Sequence, residues 1–594
     1  MIWNRSRDRL AVILATCVIG LTCGKENAVE ADVPEGVETK AVALALPAGA
    51  QVVVSGYDLE SFWSRLKATR FYAELTAIEG AADGLAEMQS KFLAETGLPL
   101  DETTVLSVFG RKFDLGFYGS LGEDRADLAL VAEVQDEGRV REILAAVEQQ
   151  VTEEEGATFR DIDYEGATVR VASSPEQEDV FFHTLVDGRL VMTTTESRLK
   201  ETLDLTANRG GGSTMGDSQD YMTVLGKLPA SDIVVFIDQR AMQETAIRAA
   251  EEQADLEPGE AERVRAATTA FQDLNYARAF AGGAYWTDAG IRSTTYTLLE
   301  PGPRRGFARI IGTTSEPART LDLQPSATLL YFALNTIVPD AIYEELLSFA
   351  INATRVQMDV VGKPDSLRAN EAVANKVTEF ENNVGIDIEE DILSWFDDEA
   401  SLSITGVNRT GFFPLPEVSI VFTSKDAVRA RTLFGKLETL LADAARARAS
   451  IPVVWQSEEY GGNTIRYAPT PVAQVAYVVT DEFAIIGSSN GLVKRMLDAQ
   501  NGQAEALPTS AAYQALGDFY AEDVSGIGYI DLERTLTEVE SLLETFGPRA
   551  GGAVADSTST GRQVLRAFKN VPRMGFYNEA EEEGFRGHVL IEVQ

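Results

Sequence analysis

The sequence of 594 residues contains very little cysteine and histidine, with two of each. Both cysteines, Cys17 and Cys23, lie within the first 23 residues. The body of the chain therefore has no disulfide to stabilise it. Two histidines without a nearby cysteine cannot build a zinc site of the usual kind. We accordingly expect neither a metal nor another cofactor.

Basic residues are also scarce, since 52 lysines and arginines stand against 92 aspartates and glutamates and give a formal net charge of -40. Nucleic acid is a polyanion, so this charge excludes it as an expected partner. The acidic residues are spread along the chain rather than gathered in a tail, which is typical of a solvated acidic surface. Binding of cations or of basic partners is the alternative.

No apolar run reaches the roughly 18 to 20 residues that a membrane-spanning helix needs. The first residues do have the pattern of a secretion signal, because Arg5, Arg7 and Arg9 precede the apolar run LAVILATCVIGLTC. Cleavage before Cys23 would make this cysteine the lipidated first residue of a bacterial lipoprotein. Cleavage after Ala31 is the alternative. We expect lipidation at Cys23 and a location in the cell envelope, at the outer membrane and facing the periplasm or the surface.

The body of the chain contains a repeated pattern. The run YEGATVR at Tyr164–Arg170 returns as YGGNTIR at Tyr460–Arg466. Asp187 heads DGRLVMTTTESRLKETLD, and Asp481, 294 positions later, heads DEFAIIGSSNGLVKRMLD. Other landmarks keep the same order, and their spacing drifts by only a few residues, as loop insertions would produce. The pattern indicates a tandem duplication.

Each copy alternates short strand-like runs, tight turns and helical segments. Strands at this spacing favour antiparallel sheets over parallel winding. We predict an α+β fold of two tandem homologous modules, each a mainly antiparallel sheet with helices packed on one face. The predicted parts are a signal peptide (1–23), an acidic tether (24–40), a first repeat (41–300), a proline-rich linker (301–324) and a second repeat (325–594).

The segment Gly487–Gly491, GSSNG, fits the nucleophile elbow of serine hydrolases and lies between a strand and a helix. The duplication favours a different role for Ser489, because the corresponding residue Thr195 lies in a plain turn before the same helix. Both side chains are suited to cap that helix. The histidines that a hydrolase would use as a base, His183 and His588, have no evident relation to this motif. A hydrolase is therefore the weakest alternative, and we predict no catalytic residues.

Two further motifs have simple structural explanations. The segment RDIDYEG, with Asp161 and Asp163, begins like a calcium loop, but Ala172 occupies the position where a bidentate glutamate is needed. We interpret it as a hairpin turn, and RGGGST at Arg209–Thr214 as a loop. Five aspartates stand between a strand and a helix and are predicted to be helix caps: Asp58, Asp136, Asp238, Asp426 and Asp531.

Several segments together resemble a bacterial family of exported proteins and lipoproteins catalogued only as a domain of unknown function. The resemblance is carried by LPAGAQVVVSGYDL, TGLPLDETTVLSVFG, LALVAEVQDEGRVREIL and DGRLVMTTTESRLKETL, with their second-copy partners, and covers most of residues 40–594. It implies an envelope location. It implies no known activity and no catalytic residues.

The leading functional hypothesis is a non-enzymatic envelope protein, a binding or scaffold module attached to the membrane through its lipid anchor, with another envelope protein as partner. The main alternative is a periplasmic carrier of a lipid or another apolar ligand, in which the helical segments Ala246–Arg278 and Leu536–Phe568 cover a cavity. An apolar cavity would favour the carrier. Solid cores with an exposed apolar patch would favour the binding module.

Overall fold

The computed structural model describes residues 43, 45–78, 89–90, 93, 102–119, 127–175, 180–209, 212–253, 276–359, 366–409, 414–449, 453–469, 474–546 and 563–594. The predicted signal peptide and acidic tether, including Cys23, lie outside these residues. So does a large part of each segment predicted to cover a cavity.

Twenty strands of the described residues form one antiparallel sheet. The first ten are β1 (Val52–Gly56), β2 (Phe113–Tyr118), β3 (Asp127–Glu133), β4 (Thr158–Tyr164), β5 (Ala167–Ser173), β6 (Phe181–Val186), β7 (Arg189–Thr193), β8 (Ile233–Asp238), β9 (Ala277–Thr287) and β10 (Gly290–Leu299). The second ten are β11 (Leu330–Leu334), β12 (Phe396–Asn408), β13 (Leu415–Ser424), β14 (Gln456–Tyr460), β15 (Asn463–Pro469), β16 (Gln474–Val479), β17 (Phe483–Gly487), β18 (Gly526–Asp531), β19 (Arg573–Glu581) and β20 (Gly584–Glu592).

The strand order across the sheet is β4-β5-β6-β7-β3-β2-β1-β8-β9-β10-β20-β19-β18-β11-β12-β13-β17-β16-β15-β14. Read outward from β10, the first ten strands follow the same order as the last ten read outward from β20. The two halves of the chain thus share one sheet through the β10–β20 pair. Their origin by duplication remains our interpretation of the sequence.

The helices are α1 (Leu59–Lys67), α2 (Arg70–Thr76), α3 (Glu102–Phe109), α4 (Glu137–Glu155), α5 (Glu196–Thr206), α6 (Gln219–Leu225), α7 (Gln239–Gln253), α8 (Phe307–Ile310), α9 (Pro339–Asp359), α10 (Ser366–Val384), α11 (Ala427–Ala449), α12 (Asn490–Gln500), α13 (Ala511–Gln514) and α14 (Leu532–Phe546). A π-helical turn, Ile388–Leu393, precedes β12. In the described part of the chain, no helix combines the length and the apolar composition needed to cross a membrane.

The α+β class and the antiparallel sheet are confirmed, but the helices lie on both faces of the sheet rather than on one. Face A carries Phe236 and Tyr331, and face B carries Leu130 and Phe332. In the first half, face A packs against α6, where Tyr221 contacts Phe236 with ring centroids 4.9 Å apart. Face B packs against α1, α3 and α4. Because successive side chains of a strand point to opposite faces, two apolar faces require two layers of helices.

The second half is covered in the same way. On face A, α12 places Leu492 and Met496 against Ile485 and other strand residues. On face B, α11 and the π-helical turn surround Trp395, whose ring lies 6.1 Å from that of Phe434. Burial of such a side chain stabilises the fold by roughly 1.5 to 3 kcal/mol. The sheet is therefore fixed by separate apolar clusters on its two faces.

Buried hydrogen bonds hold the segment 301–324 between β10 and β11. The carboxylate of Glu399, on β12, is almost fully buried. It accepts hydrogen bonds from the backbone N–H of Arg319 at 2.8 Å, from the N–H of Thr320 at 2.8 Å and from the Thr320 hydroxyl at 2.6 Å. At the other end of the segment, Arg304 donates to the backbone carbonyl oxygen of Glu581 on β19. The proline-rich segment is thus tied to the sheet at both of its ends.

Candidate functional site

Three neighbouring strands of the second half present apolar side chains to solvent on face B. Phe332 on β11 pairs with Leu402 on β12, and Leu402 pairs with Ile420 on β13. These side chains are 38%, 41% and 38% exposed. Because residues paired across antiparallel strands lie side by side on one face, the three form a continuous row. We call Phe332, Leu402 and Ile420 the apolar row.

The polarity of β12 is the reverse of what a half-buried strand usually shows. In β12, Ser401, Ser403 and Thr405 are buried on face A, whereas Leu402 between them is exposed. Ser403 and Ser419 share a hydrogen bond of 2.6 Å, but the hydroxyls of Ser401 and Thr405 have no partner among the described residues. A buried polar group left without a partner costs about 1 to 3 kcal/mol. Stability of the core therefore does not explain why the apolar side chains face outward.

An aromatic pair extends the apolar row toward the middle of the sheet. The ring of Phe576, on β19, lies 5.8 Å from that of Phe332. Between them stands Gly528 on β18, which pairs with both residues. A Cβ atom on Gly528 would lie 1.8 Å from Cζ of Phe576. The glycine is thus required for the Phe576 ring to lie flat on the sheet beside Phe332.

Two helices border the apolar row. Both α9 and α14 contact β12, and α14 also contacts β19. Arg409, just beyond β12, fixes α14 through hydrogen bonds to Glu538 at 2.7 Å and to the Ser541 hydroxyl at 3.0 Å. Val539 of α14 and Phe349 of α9 remain partly exposed. The floor and the borders together form an apolar groove on face B.

The corresponding part of the first half is covered. Val54 on β1 and Leu115 on β2 pair on face B, as Phe332 and Leu402 do in the second half. They pack against a cluster that includes Leu59 of α1 and Val105 of α3. Neither is among the exposed large apolar side chains. The exposed row therefore belongs to the second half alone.

A polar chain crosses the β10–β20 pair on face A. Thr294 Oγ1 lies 3.3 Å from His588 Nδ1, and His588 Nε2 lies 3.2 Å from Glu579 Oε2. Burial lowers the pKa of His588, and the hydrogen bond to Glu579 opposes this shift only in part. A neutral ring fits the contacts when its Nε2–H donates to Glu579 and its Nδ1 accepts from Thr294. A hydroxyl, an imidazole and a carboxylate in this order have the chemical make-up of a hydrolytic triad. However, Thr294 is only 2% exposed and lies in the middle of a strand.

The other histidine, His183, belongs to a network under α4. Glu148 of α4 accepts hydrogen bonds from the Nη2 of Arg170 at 2.8 Å and lies 3.2 Å from His183 Nε2. Burial raises the pKa of the Glu148 carboxyl, but the hydrogen bonds from His183 and Arg170 outweigh it, so that the pKa is lowered. In the second half the same contacts are made by Glu438, Arg466 and Tyr477. This network fastens a helix to the sheet in both halves.

The structure places the residues of the elbow-like motif in a helix cap, as predicted. Ser489 Oγ accepts from the backbone N–H of Leu492 at 3.0 Å, and Thr195 Oγ1 accepts from that of Arg198 at 3.3 Å. The five aspartates likewise accept a backbone N–H three residues later: Asp58 from Ser61, Asp136 from Arg139, Asp238 from Ala241, Asp426 from Arg429 and Asp531 from Arg534. These predictions are confirmed.

Asp161 and Asp163 lie on β4, just before the tight turn that leads into β5, so the hairpin interpretation is also confirmed. Of the segment Arg209–Thr214, the described part pairs Thr214 with Pro47 in an isolated bridge. Within the residues that the structure describes, there is no group of three or more histidine, cysteine, aspartate or glutamate side chains that could hold a metal ion. The lipidation predicted for Cys23 falls outside them.

The apolar row and the chain of contacts around His588 were not predicted from the sequence. The sequence feature that belongs to the apolar row is the alternation of serine and leucine in SLSIT. This alternation predicts a strand with one polar and one apolar face, but it does not show which face is buried. For His588 the signal was its spacing of 294 from Thr294, the same spacing that separates Asp187 from Asp481.

Comparison with known proteins gives a family but no function. No curated protein matches the chain. Among solved structures, crystal form III of TP0453 is 11% identical, with 46% of this chain and 84% of that chain covered and a TM-score of 0.22. Crystal form I of TP0453 is 9% identical, with 46% and 82% covered and a TM-score of 0.21. Such TM-scores are too low to establish a shared fold.

One family model matches residues 120–451, which is more than half of the chain, and its description is a protein of unknown function, DUF3352. The match confirms the resemblance to a domain of unknown function and assigns no catalytic residue. This chain is a member of the DUF3352 family.

Proposed function

We propose that this protein is a non-enzymatic binding protein of the cell envelope, exported and anchored through a lipid on Cys23, and that its groove on face B holds the partner. The observation that supports this most directly is the apolar row. Phe332, Leu402 and Ile420 are exposed, whereas serines and threonines of β12 and β13 are buried. The signal-like first residues support export.

The row has the properties of a recognition surface. Continuous exposed apolar patches on soluble proteins mark sites of protein or ligand binding. The paired rings of Phe332 and Phe576 supply rigid aromatic area, which loses little conformational entropy when it is covered. The polar anchor at Arg409 and Glu538 lies at the border, where a hydrogen-bonded rim is expected. We therefore expect binding to be driven by apolar contact.

An apolar small molecule, such as a lipid, is the second candidate for the occupant. The observation that favours it is the position of the row between α9 and α14, which border it as the walls of a groove. An acyl chain lying along the floor would contact Phe332, Leu402 and Phe576. Both candidates use the same residues, so a mass measurement is needed to separate them.

The test is native mass spectrometry of the protein purified from its own envelope, comparing the wild type with Leu402→Asp. Leu441→Asp is the control, because Leu441 is also an exposed leucine but lies on α11, outside the row. We expect extra mass on the wild type and on the control, and its loss in Leu402→Asp. Extra mass in the lipid range identifies a carrier, and the mass of a second chain identifies a protein partner.

The same preparation, measured denatured, tests the anchor. A chain that begins at a modified Cys23 supports it, and a chain that begins at Asp32 contradicts it. A wild type without extra mass, which also binds the apolar dye anilinonaphthalene sulfonate no better than Leu402→Asp, would contradict the binding function itself.

A further inference from the structure

The β10–β20 pair, at the centre of the sheet, carries a guanidinium that has no acidic partner among the described residues. Arg292 lies on face A, between Tyr285 of β9 and Leu590 of β20. Within the described part of the chain its guanidinium makes no ion pair, and its Nε atom is buried without a hydrogen-bond acceptor. The guanidinium carbon lies 5.6 Å from the centre of the Phe519 ring. A buried N–H of a charged group is costly when no acceptor satisfies it.

Further polar and charged side chains lie along the same face. Thr294 is two residues from Arg292 and is bonded to His588, whose ring stacks on Tyr577 with centroids 4.5 Å apart. Arg586 is two residues from His588 on β20, and its Nε atom is also buried without an acceptor. Because alternate residues of a strand share a face, Arg292 and Arg586 flank His588 from opposite ends of the pair.

The two acidic side chains that contact His588 and Arg586 already have partners. Glu581 accepts from Lys227 at 2.5 Å, from Arg586 at 2.8 Å and from the Tyr296 hydroxyl at 3.3 Å. Glu579 is engaged by His588. Among the residues that the structure describes, the charge of Arg292 therefore has no acidic partner, although the protein as a whole has a net charge of -40 and many carboxylates. A bound anion would supply the missing partner.

We propose that this part of face A is a binding site for a small oxyanion, a carboxylate or a phosphate, held by Arg292 with His588 and Arg586 beside it. A guanidinium donates two parallel hydrogen bonds to either group, which matches both oxyanions. The His588 side chain is 20% exposed, so that solvent reaches the site. The site lies on the opposite face from the apolar row, and its test is independent of the proposed binding function.

Isothermal titration calorimetry of the purified full-length mature protein tests the proposal, with sodium phosphate and sodium acetate as separate probes at constant ionic strength. We expect Arg292→Gln to weaken binding of the anion at least tenfold. Arg305→Gln is the matched control. Arg305 also lies over an aromatic ring, that of Tyr276 at 5.9 Å, and makes no ion pair within the described residues, but it lies outside the site. The Arg305→Gln variant is expected to bind the anion with the same affinity as the wild type.

The presence of only two histidines gives a second readout, independent of calorimetry. In a proton NMR spectrum, His588→Gln assigns the imidazole signals to His588 and His183. Binding of an anion beside His588 is expected to shift its signals and to raise its pKa, because a negative charge favours the imidazolium. The signals of His183, in the network under α4, are expected to stay in place.

The outcomes decide both the class of anion and the proposal. Binding of phosphate alone assigns a phosphate site, and binding of acetate assigns a carboxylate site. Absence of binding by both probes, equal binding by Arg292→Gln, or an unchanged His588 spectrum would overturn the proposal. If Arg292→Gln fails to fold, Arg292→Lys replaces it, since lysine retains the charge but not the paired donors, and a clearly weaker affinity is again expected.

Discussion

The loss of one buried carboxylate is predicted to release the segment that joins the two halves of the chain. Glu399 accepts three hydrogen bonds, two of them from the backbone N–H groups of Arg319 and Thr320. In Glu399→Ala both N–H groups lose their acceptor, and the N–H of Thr320 is buried. Hydrogen bonds to charged groups contribute about 1.5 to 3 kcal/mol each, and removal of one partner from a buried charged network costs about 3 to 5 kcal/mol. The three hydrogen bonds taken separately would add to a larger cost. Because the segment can move and admit water, we expect the smaller cost of about 3 to 5 kcal/mol.

Hydrogen exchange measured by mass spectrometry reports this loss locally, without the assumption that the whole chain unfolds in one step. A decrease of about 3 to 5 kcal/mol in the free energy of opening corresponds to roughly a hundredfold or more in protection. We expect a peptide covering Arg319 and Thr320 to lose protection to this extent. Glu399→Gln is expected to lose less, since an amide oxygen still accepts from one side.

The control for this experiment is Glu582→Ala, which removes an exposed carboxylate from the turn between β19 and β20. Its exchange at Arg319 and Thr320 is expected to match the wild type. Unchanged protection in Glu399→Ala would refute the reasoning, because it would mean that the carboxylate does not hold the segment. If Glu399→Ala does not fold, Glu399→Gln against the wild type provides the same comparison.

Three further predictions follow from single contacts. Gly528→Val places side-chain atoms where the Phe576 ring lies and is expected to lower the free energy of unfolding by about 1 to 3 kcal/mol, with partial recovery in the double variant Gly528→Val/Phe576→Ala, as measured by thermal melting. Ser489→Ala removes a helix cap and is expected to cost about 1 kcal/mol in urea unfolding, while any esterase activity of the protein stays unchanged. Burial raises the pKa of Glu438, but its hydrogen bonds with Arg466 and Tyr477 outweigh this and lower the pKa. The ionised carboxylate therefore stabilises the fold at pH values above the ordinary pKa of glutamate. This stability is lost as the pH falls through the lowered pKa of Glu438. Arg466→Gln is expected to reduce this loss in melting curves taken toward acid pH.

The sequence predicted those features that depend on neighbours along the chain. A helix cap requires a suitable side chain directly before the helix, so Asp136 and Ser489 were assigned correctly without knowledge of the fold. The antiparallel sheet followed from short strands joined by tight turns. The placement of helices on both faces did not follow, because an amphipathic helix shows which of its sides is buried but not which face of a sheet covers it.

The apolar row was not predictable for a related reason. In β12 the alternation of serine and leucine normally places leucine in the core. In the structure Leu402 faces solvent instead, and part of the buried polar face finds partners on the neighbouring strand. Ser403 bonds with Ser419, and the Thr423 hydroxyl accepts from the backbone N–H of Glu399 at 2.9 Å. Such partners are distant in sequence, so only the folded sheet reveals which side of the strand is exposed.

The two proposed sites lie where the two halves of the chain differ. The position of Gly528 is occupied by Val235 in the first half, and that of Phe576 by Gly282, so the large and small residues of this strand pair are exchanged. The exchange builds the aromatic end of the apolar row in the second half only. If the halves arose by duplication, as the sequence indicates, the shared network under α4 and α11 preserves the fold, and substitutions such as these add binding surfaces to it.

The proposed oxyanion site lies at the β10–β20 pair, where the two halves of the chain meet. Thr294 pairs directly with His588, its counterpart 294 positions later, so these two residues lie at the centre of the relation between the halves. Contacts at such a centre cannot be duplicated, because each residue there meets its own counterpart. The counterpart of Arg292 at the same spacing is Arg586, which pairs with Glu581 at 2.8 Å, so among the described residues only one of these two guanidinium groups lacks an acidic partner. The unpaired guanidinium is therefore a feature of the joined sheet, and its anion site would exist once per chain. The titration with phosphate or acetate should accordingly saturate at one equivalent, and a stoichiometry of two would contradict this placement.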